Sequence, residues 1–337
     1  MNHRLISTLV SVACAAPVMG ASWPMKHRDP AHTGRADYTV PAERMNNTFF
    51  DTVRWQKRSP GSPGEGGFTS SSMVFYDGVG PGGADIVVAG YHWPKGVQGM
   101  DRRTGRLFWN GNPSGGETIG ASTPAFSNNG GTVYVVNDAT ANAQYPNGHP
   151  LMAFRTNVGP SSYWHNGSDA NPGHLSMHSP TIAPDGRIFL HSWVDRPYAG
   201  MDDGSMIEQN WAAATPADCG LSDPSLYTGV SPLMVVIGAR WGQIKAYSGS
   251  TGAELWTANV GATVDATVTI DPANGNIYVG CGSDSIFVAG LDKNGNPLWG
   301  SEAVMVFYNG GASPQHAQAA GCLSHYGLTY YIQTNGQ

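Results

Sequence analysis

A tryptophan returns along this chain at a nearly fixed interval. Trp55, Trp109, Trp164, Trp211, Trp256 and Trp299 are separated by 43 to 55 residues. Three of them follow one kind of turn. Asp101-Arg102-Arg103-Thr104-Gly105 precedes Trp109, Ser248-Gly249-Ser250-Thr251-Gly252 precedes Trp256, and Asp292-Lys293-Asn294-Gly295 precedes Trp299. In each copy the Trp stands four residues beyond Gly105, Gly252 or Gly295. Looser copies end at Trp55, Trp164 and Trp211. Core packing explains a single indole; six in phase require a repeated unit. A period of about 40–50 residues is that of a four-stranded propeller blade.

Other features recur in the same phase. Ser122-Thr123-Pro124, Ser179-Pro180 and Ser231-Pro232 read as strand openings, and Asn129-Gly130, Asp185-Gly186 and Asn274-Gly275 as hairpin turns. Short β-rich runs follow: Thr132–Val136, Arg187–Leu190 and Asn276–Val279. A further run leads back to the Gly turn, as in Leu151–Phe154, Gln243–Tyr247 and Ser285–Ala289. Charged residues make up only 12%, against 45 Gly and 23 Pro, which disfavours a helical bundle. The expected fold is all-β: a β-propeller of four-stranded antiparallel blades with at least six blades. Each sheet has two faces to bury, and radial stacking buries both. After Trp299 the chain reaches a strand-like run at Leu328–Ile332. Either the segment around residues 38–53 supplies the missing strand, so that the two ends meet in one blade, or the repeats are truncated and further blades are lacking; the first is the expectation.

The Asp-x-x-Thr-Gly-x-x-x-Trp turn resembles the tryptophan-docking repeat of pyrroloquinoline-quinone (PQQ) β-propellers, with Trp109, Trp256 and Trp299 matching best. Trp23-Pro24-Met25, Asp29-Pro30 and Thr33-Gly34 are similar to the opening segment of exported PQQ-like repeat proteins. The resemblance covers roughly residues 50–337 and implies that each Trp docks between adjacent blades. It implies one of two activities. Quinoprotein dehydrogenases bind PQQ and calcium on the propeller axis and use an Asp as base; other members lack the cofactor and serve as scaffolds or binding proteins. No Cys-Cys pair of the alcohol-oxidising members and no Cys-x-x-Cys-His haem motif occurs in this sequence. No catalytic or cofactor-binding residue of the family can be carried over to a position here. The expectation is therefore a binding or scaffold module with no cofactor. PQQ and calcium belong to the alternative, an alcohol or sugar dehydrogenase, and carbohydrate binding at the surface is a second alternative.

The N-terminus sets the expected compartment. Arg4, an apolar run over 5–16 and small residues around Gly20 read as a signal peptide over 1–20. Residues 21–50 then form an N-terminal segment and 51–337 the repeats, in an exported protein, periplasmic or extracellular. No stretch reaches the ~20 apolar residues of a transmembrane helix. The net charge of −6, with no basic run, disfavours a nucleic-acid partner. The partner expected is a protein or glycan at the propeller face. Three cysteines follow residue 20, and Cys281 with Cys322 is the pair to test first for a disulfide; three small buried side chains are the alternative.

Isolated chemical motifs are weak. His165, His174, His178 and His191 read as loop histidines rather than metal ligands, because Pro172, Gly173 and Pro180 oppose the helix that would align them. No metal site is expected. Asp138, Asp185, Asp195, Asp202, Asp203 and Asp271 lie near predicted turns, where Asp bonds local backbone. Asp202-Asp203-Gly204 and Asp292-Lys293-Asn294-Gly295 lack the distal Glu of a calcium loop. Tyr91–Lys95 and Ser162–His165 are aromatic segments, suited to inter-blade packing or to a sugar or peptide.

Overall fold

The computed structural model describes residue 25 and residues 29–32, 72–91, 96–111, 118–119, 123–138, 151–166, 179–191, 196–214, 222–239, 241–264, 266–282, 285–299, 303–308, 322–324 and 327–329. Strands follow one another by short antiparallel hairpins, four at a time. The first blade is β1 (Val74–Tyr76), β2 (Ile86–Tyr91), β3 (Gly96–Asp101) and β4 (Leu107–Gly111). A two-residue β5 (Thr118–Ile119) then pairs with the far end of β7. The second blade is β6 (Ala125–Phe126), β7 (Thr132–Asp138), β8 (Leu151–Arg155) and β9 (Gly159–Asn166); the third is β10 (Thr181–Ile182), β11 (Ile188–His191), β12 (Pro197–Asp202) and β13 (Ile207–Ala212). The fourth is β14 (Ser225–Tyr227), β15 (Met234–Ala239), β16 (Gln243–Ser248) and β17 (Glu254–Asn259); the fifth is β18 (Thr269–Ile270), β19 (Ile277–Cys281), β20 (Ser285–Leu291) and β21 (Ala303–Tyr308). A two-stranded sheet, β22 (Cys322–Ser324) with β23 (Gly327–Thr329), follows. The first strands of neighbouring blades lie side by side, β1 against β6, β6 against β10 and β14 against β18. They form an inner ring, and the fourth strands lie outermost. Blades two and three are also joined at the rim, where β9 and β13 pair in parallel through Ile207 with His165 and Glu208 with Asn166.

Burial explains why the middle strands read as continuous apolar runs rather than alternating ones. On β7, Val133 and Val135 join Val74, Ile86, Val88 and Val97 of the first blade, while Tyr134 and Val136 join Ile182, Ile188 and Leu190 of the third. On β15, Val235 and Ile237 face the third blade, and Met234 and Val236 face the fifth. The period-2 alternation is intact, but both faces are interior. Four of the five core clusters are seams between two sheets; the fifth, Val87, Ala89 and Met100 with Phe75, lies on the other face of the first blade.

The indoles bolt the seams. Trp109 of β4 donates its Nε1–H to the carbonyl of Thr156 at 3.0 Å, in the third-to-fourth-strand turn of the second blade. Trp211 does the same to Gly249 of the fourth blade at 3.0 Å, and Trp256 to Lys293 of the fifth at 3.0 Å. Each acceptor turn ends in a left-handed glycine: Gly159 at φ 80°, Gly252 at φ 71° and Gly295 at φ 83°. A Cβ at those glycines would fall 2.6 Å from Trp109, 2.4 Å from Trp211 and 2.8 Å from Trp256. On its own blade each indole lies opposite a small residue of the third strand: Gly99 for Trp109, Ala199 for Trp211, Ala246 for Trp256. The ring is clamped between a small residue behind and a glycine turn ahead.

The glycine that precedes each Trp in sequence therefore serves the indole of the preceding blade. Gly105 closes its own turn on Asp101 at 2.8 Å and φ 70°; the indole one repeat earlier, Trp55, lies outside the described residues. Trp299 takes the same seat on its own blade, over Gly290, and is 44% exposed. Trp164 lies on β9, but two residues past the first pair beyond the bulge, the post that Ser162 holds and that Trp109, Trp211 and Trp256 hold elsewhere. The aromatic segment Ser162–His165 is strand, and His165, read above as a loop histidine, lies within it.

The turns are stabilised by carboxylates. Asp101 Oδ1 accepts the N–H groups of Arg103 and Thr104, each at 2.8 Å, and Asp203 Oδ1 accepts those of Ser205 at 2.7 Å and Met206 at 2.9 Å. The Thr104 N–H holds the Asp101 carboxyl below its usual value against a small burial penalty, and the Met206 and Ser205 N–H groups do so for Asp203.

Two expectations follow. Gly252→Ala meets both positive φ and the Trp211 ring and is expected to cost about 2–4 kcal/mol. Gly82→Ala, at φ 69° with nothing near its Cβ, meets backbone strain alone, about 1 kcal/mol. Urea midpoints of the two variants measure the difference. Because the folded carboxyls of Asp101 and Asp203 titrate below their unfolded values, the stability they supply is complete above the unfolded carboxylate range and is lost as pH falls through the folded one. Asp101→Asn/Asp203→Asn is expected to show a shallower acid limb between about pH 5 and 2, read from thermal midpoints across that range.

Candidate functional site: the propeller axis

A belt of side chains runs around the axis where each first strand begins. Ser72 N–H donates to Thr123 Oγ1 at 3.1 Å, Thr123 N–H to Ser179 Oγ at 3.0 Å, Ser179 N–H to Asp223 Oδ1 at 2.6 Å, and Asp223 N–H to Thr267 Oγ1 at 3.3 Å. Thr267 Oγ1–H closes back on Asp223 Oδ2 at 3.0 Å. Thr123, Ser179, Asp223 and Thr267 are all buried. One short oxygen-bearing side chain per blade takes the first free N–H of the blade before it. That N–H would otherwise be an unmet donor in a dry interior. Pro at the next position (Pro124, Pro180, Pro224) suits a strand start that needs no donor.

The belt corrects one sequence reading. Ser231-Pro232-Leu233, taken as the strand opening of its repeat, lies in the bend between β14 and β15, across a cis Ser231–Pro232 peptide. Asp223-Pro224 holds the belt post. Its acceptor is a carboxylate, so the post does not carry the Ser/Thr-Pro pattern of the others. Asp223 is the one acid of the described belt.

The N-terminal segment fills the axis beside the third, fourth and fifth blades. Leu226 N–H donates to the Pro30 carbonyl at 2.7 Å and Ile270 N–H to the Ala31 carbonyl at 2.9 Å. These are amides of β14 and β18, on inner edges that no strand of their own blades covers. Thr269 Oγ1–H donates to the His32 carbonyl at 3.3 Å. His32 Nε2 lies 3.0 Å from the Pro224 carbonyl and 3.1 Å from Thr181 Oγ1. A carbonyl only accepts, so Nε2 carries the hydrogen. Asp29 Oδ1 accepts Ala31 N–H at 3.0 Å, and Asp29 O accepts His32 N–H at 2.9 Å, which folds the segment into a turn. His32 sits at φ 54°, an uncommon conformation for a residue with a side chain. Further along, Met25 packs among Ala125, Leu151, Ile182 and Ile207, in the seam of the second and third blades.

The remaining sequence candidates are dispersed. His191, read as a loop histidine, is fully buried on β11, where the strand carries it into the sheet interior. His165 lies on β9; His174 and His178 lie outside the described residues, as do Asp195 and residues 92–95 of the aromatic segment after Tyr91. Asp202 accepts the Tyr134 hydroxyl at 2.7 Å from the second blade. Asp292 Oδ1 accepts Asn294 and Asn296 N–H, each at 2.8 Å, so that loop is a carboxylate-braced turn. Cys281 is a free thiol, and the bridge to Cys322 considered above is not made. Its β19 position aims it into the seam with Val264 and Val279, whereas Cys322 begins the separate sheet of β22 and β23. Burial pushes the Cys281 thiol up to about 12, so it is an inert core side chain.

The fold and axis define a class, a β-propeller of antiparallel four-stranded sheets. Comparison with solved structures agrees. The quinohemoprotein alcohol dehydrogenase of Comamonas testosteroni superposes with a TM-score of 0.58 and 16% identity, covering 89% of this chain and 52% of that one. A quinohemoprotein alcohol dehydrogenase of Pseudomonas putida HK5 gives 0.58 and 13%, covering 85% and 48%. The chain spans about half the length of these dehydrogenases. At this identity the likeness establishes the fold. No protein-family profile matches the sequence, and no curated protein is a detectable relative.

The quinone and calcium that such a fold suggests find a poor donor set among the described residues. Among the described residues no three His, Cys, Asp or Glu side chains cluster as metal ligands. The buried axial carboxylate, Asp223, is engaged by Ser179 N–H and Thr267 Oγ1–H. No chemical step through either group follows from this arrangement. Also among the described residues, no helix is long and apolar enough to cross a membrane. Asp223→Ala is expected to cost about 2–5 kcal/mol, because it leaves Ser179 N–H and the Thr267 hydroxyl buried without their acceptor. Asp223→Asn, which keeps an oxygen at the post, is expected to lose about half as much. Chemical denaturation of both variants checks the ranking.

Proposed function

We propose that this protein is an exported PQQ-like repeat propeller that acts as a binding or scaffold module. One observation carries the reading: the polar groups described at the axis are spent on one another and on the chain's own residues 30–32. An axial catalyst needs polar groups aimed at a reacting ligand; here they hold blades and segment together. The signal-like residues 1–20 and the acidic, low-charge composition fit an exported module with a protein or glycan partner. The alternative is a PQQ- and calcium-dependent alcohol or sugar dehydrogenase, favoured by the likeness to quinohemoprotein alcohol dehydrogenases. Surface carbohydrate binding is favoured by Trp241, 77% exposed between β15 and β16, since an exposed aromatic side chain with a polar edge suits a sugar. Titration of the purified chain with PQQ and Ca²⁺, followed by a dye-linked oxidation assay on alcohols and sugars, decides the first point. The expected result is no stoichiometric quinone binding and no dye reduction. Turnover with bound quinone overturns the module reading.

A further inference from the structure

Residues 29–32 are held as a bound peptide is held. Two main-chain carbonyls accept inner-edge amides of two different blades, as in strand addition to a sheet edge. Each position is read differently. At position 30 the contact is through the carbonyl, and proline lacks only an N–H that the site does not use. At position 31 the side chain is buried with Val268 and Ile270, so a small residue is required. At position 32 the imidazole Nε2–H reaches the Pro224 carbonyl and Thr181 Oγ1, acceptors of two blades at once. Asp29 sets the turn that presents all three. The amides of Leu226 and Ile270 and the Pro224 carbonyl belong to the inner ring, so the groove exists wherever the ring does.

We propose that the axial groove between the third, fourth and fifth blades is a peptide-recognition site for an Asp-Pro-small-His segment, and that Asp29–His32 occupies it in cis as a displaceable internal ligand. The inference rests on the module reading above and gives that module's ligand a chemical class: a short peptide with proline, a small residue and histidine in succession. The strap keeps the site closed to such peptides until it leaves. The contacts are hydrogen bonds to main-chain amides and carbonyls and to one hydroxyl; binding is therefore expected to depend weakly on salt.

The test uses the full chain with a protease site placed within residues 36–45. After cutting, a fluorescent synthetic peptide of residues 25–35 is added and its uptake followed by anisotropy and native mass spectrometry. The expected result is saturable uptake of one peptide per chain with release of the cut segment. A His32→Ala peptide and an Ala31→Trp peptide are each expected to bind at least tenfold more weakly. In the uncut chain, His32→Ala is expected to speed amide exchange at Leu226 and Ile270 while leaving the amides of the outer turn at 248–252 unchanged. Failure of the peptide to enter at millimolar concentration overturns the proposal, whether the strap has stayed or has left a folded chain. Equal uptake of the wild-type, His32→Ala and Ala31→Trp peptides overturns it too. Quinone and calcium are absent from this assay. Quinone-dependent turnover would thus defeat the module reading without altering the peptide result, and lack of peptide uptake would leave the module reading standing.

Discussion

The structure depends on an indole N–H that is satisfied only by the next blade. Trp109, Trp211 and Trp256 each bring a large apolar ring and one donor, buried at Trp109 and Trp211, to the outer edge of a sheet, and the acceptor is the carbonyl of a glycine turn one repeat further on. Burying the ring without that carbonyl would leave an unmet donor, and offering the turn without the ring would leave a hole beside a glycine. Neither half is stable alone, which is why the repeat cannot exist as a single sheet. The Ser/Thr/Asp belt applies the same logic at the inner edge. Rim and axis are therefore fixed by one rule, with apolar seams between them.

That rule accounts for what was legible in the sequence. The period of Trp and of Gly turns gave the all-β, four-stranded architecture, because an indole and a left-handed glycine are both hard to replace at their posts. The paired faces of Val133–Val136 were visible as an apolar run, though the run does not say that both faces are interior. The axis was harder to read. Its belt accepts Thr, Ser or Asp, so Asp223 did not look like Thr123 or Ser179, and Ser231-Pro232 imitated the pattern without holding the place. His191 carried no mark of burial, since a lone histidine in a short strand looks like one in a loop. The seat of Pro30–His32 was invisible for a different reason: its partners, Leu226 and Ile270, lie about 200 residues away and contribute main-chain groups, which leave no trace in side-chain identity.

The axis shows how a propeller can spend its centre. Five short first strands leave unpaired inner edges, a liability in any sheet. Here some of those edges are met by the chain's own N-terminal turn and the strand starts by the belt, so the centre serves cohesion.

The bonds between blades have a direction. Trp109 to Thr156, Trp211 to Gly249 and Trp256 to Lys293 all run from the earlier repeat to the later one. So do Tyr76 to Asn128, Asn128 to Ala183, Arg155 to Gly204 and Ser225 to Val268. Thr267 to Asp223 runs the other way. A chain leaving the ribosome N-terminus first thus carries, at every stage, a newest sheet whose donors are waiting and whose acceptors are already taken. Assembly is a ratchet: each repeat secures the one made before it and is itself left unsecured until its successor emerges.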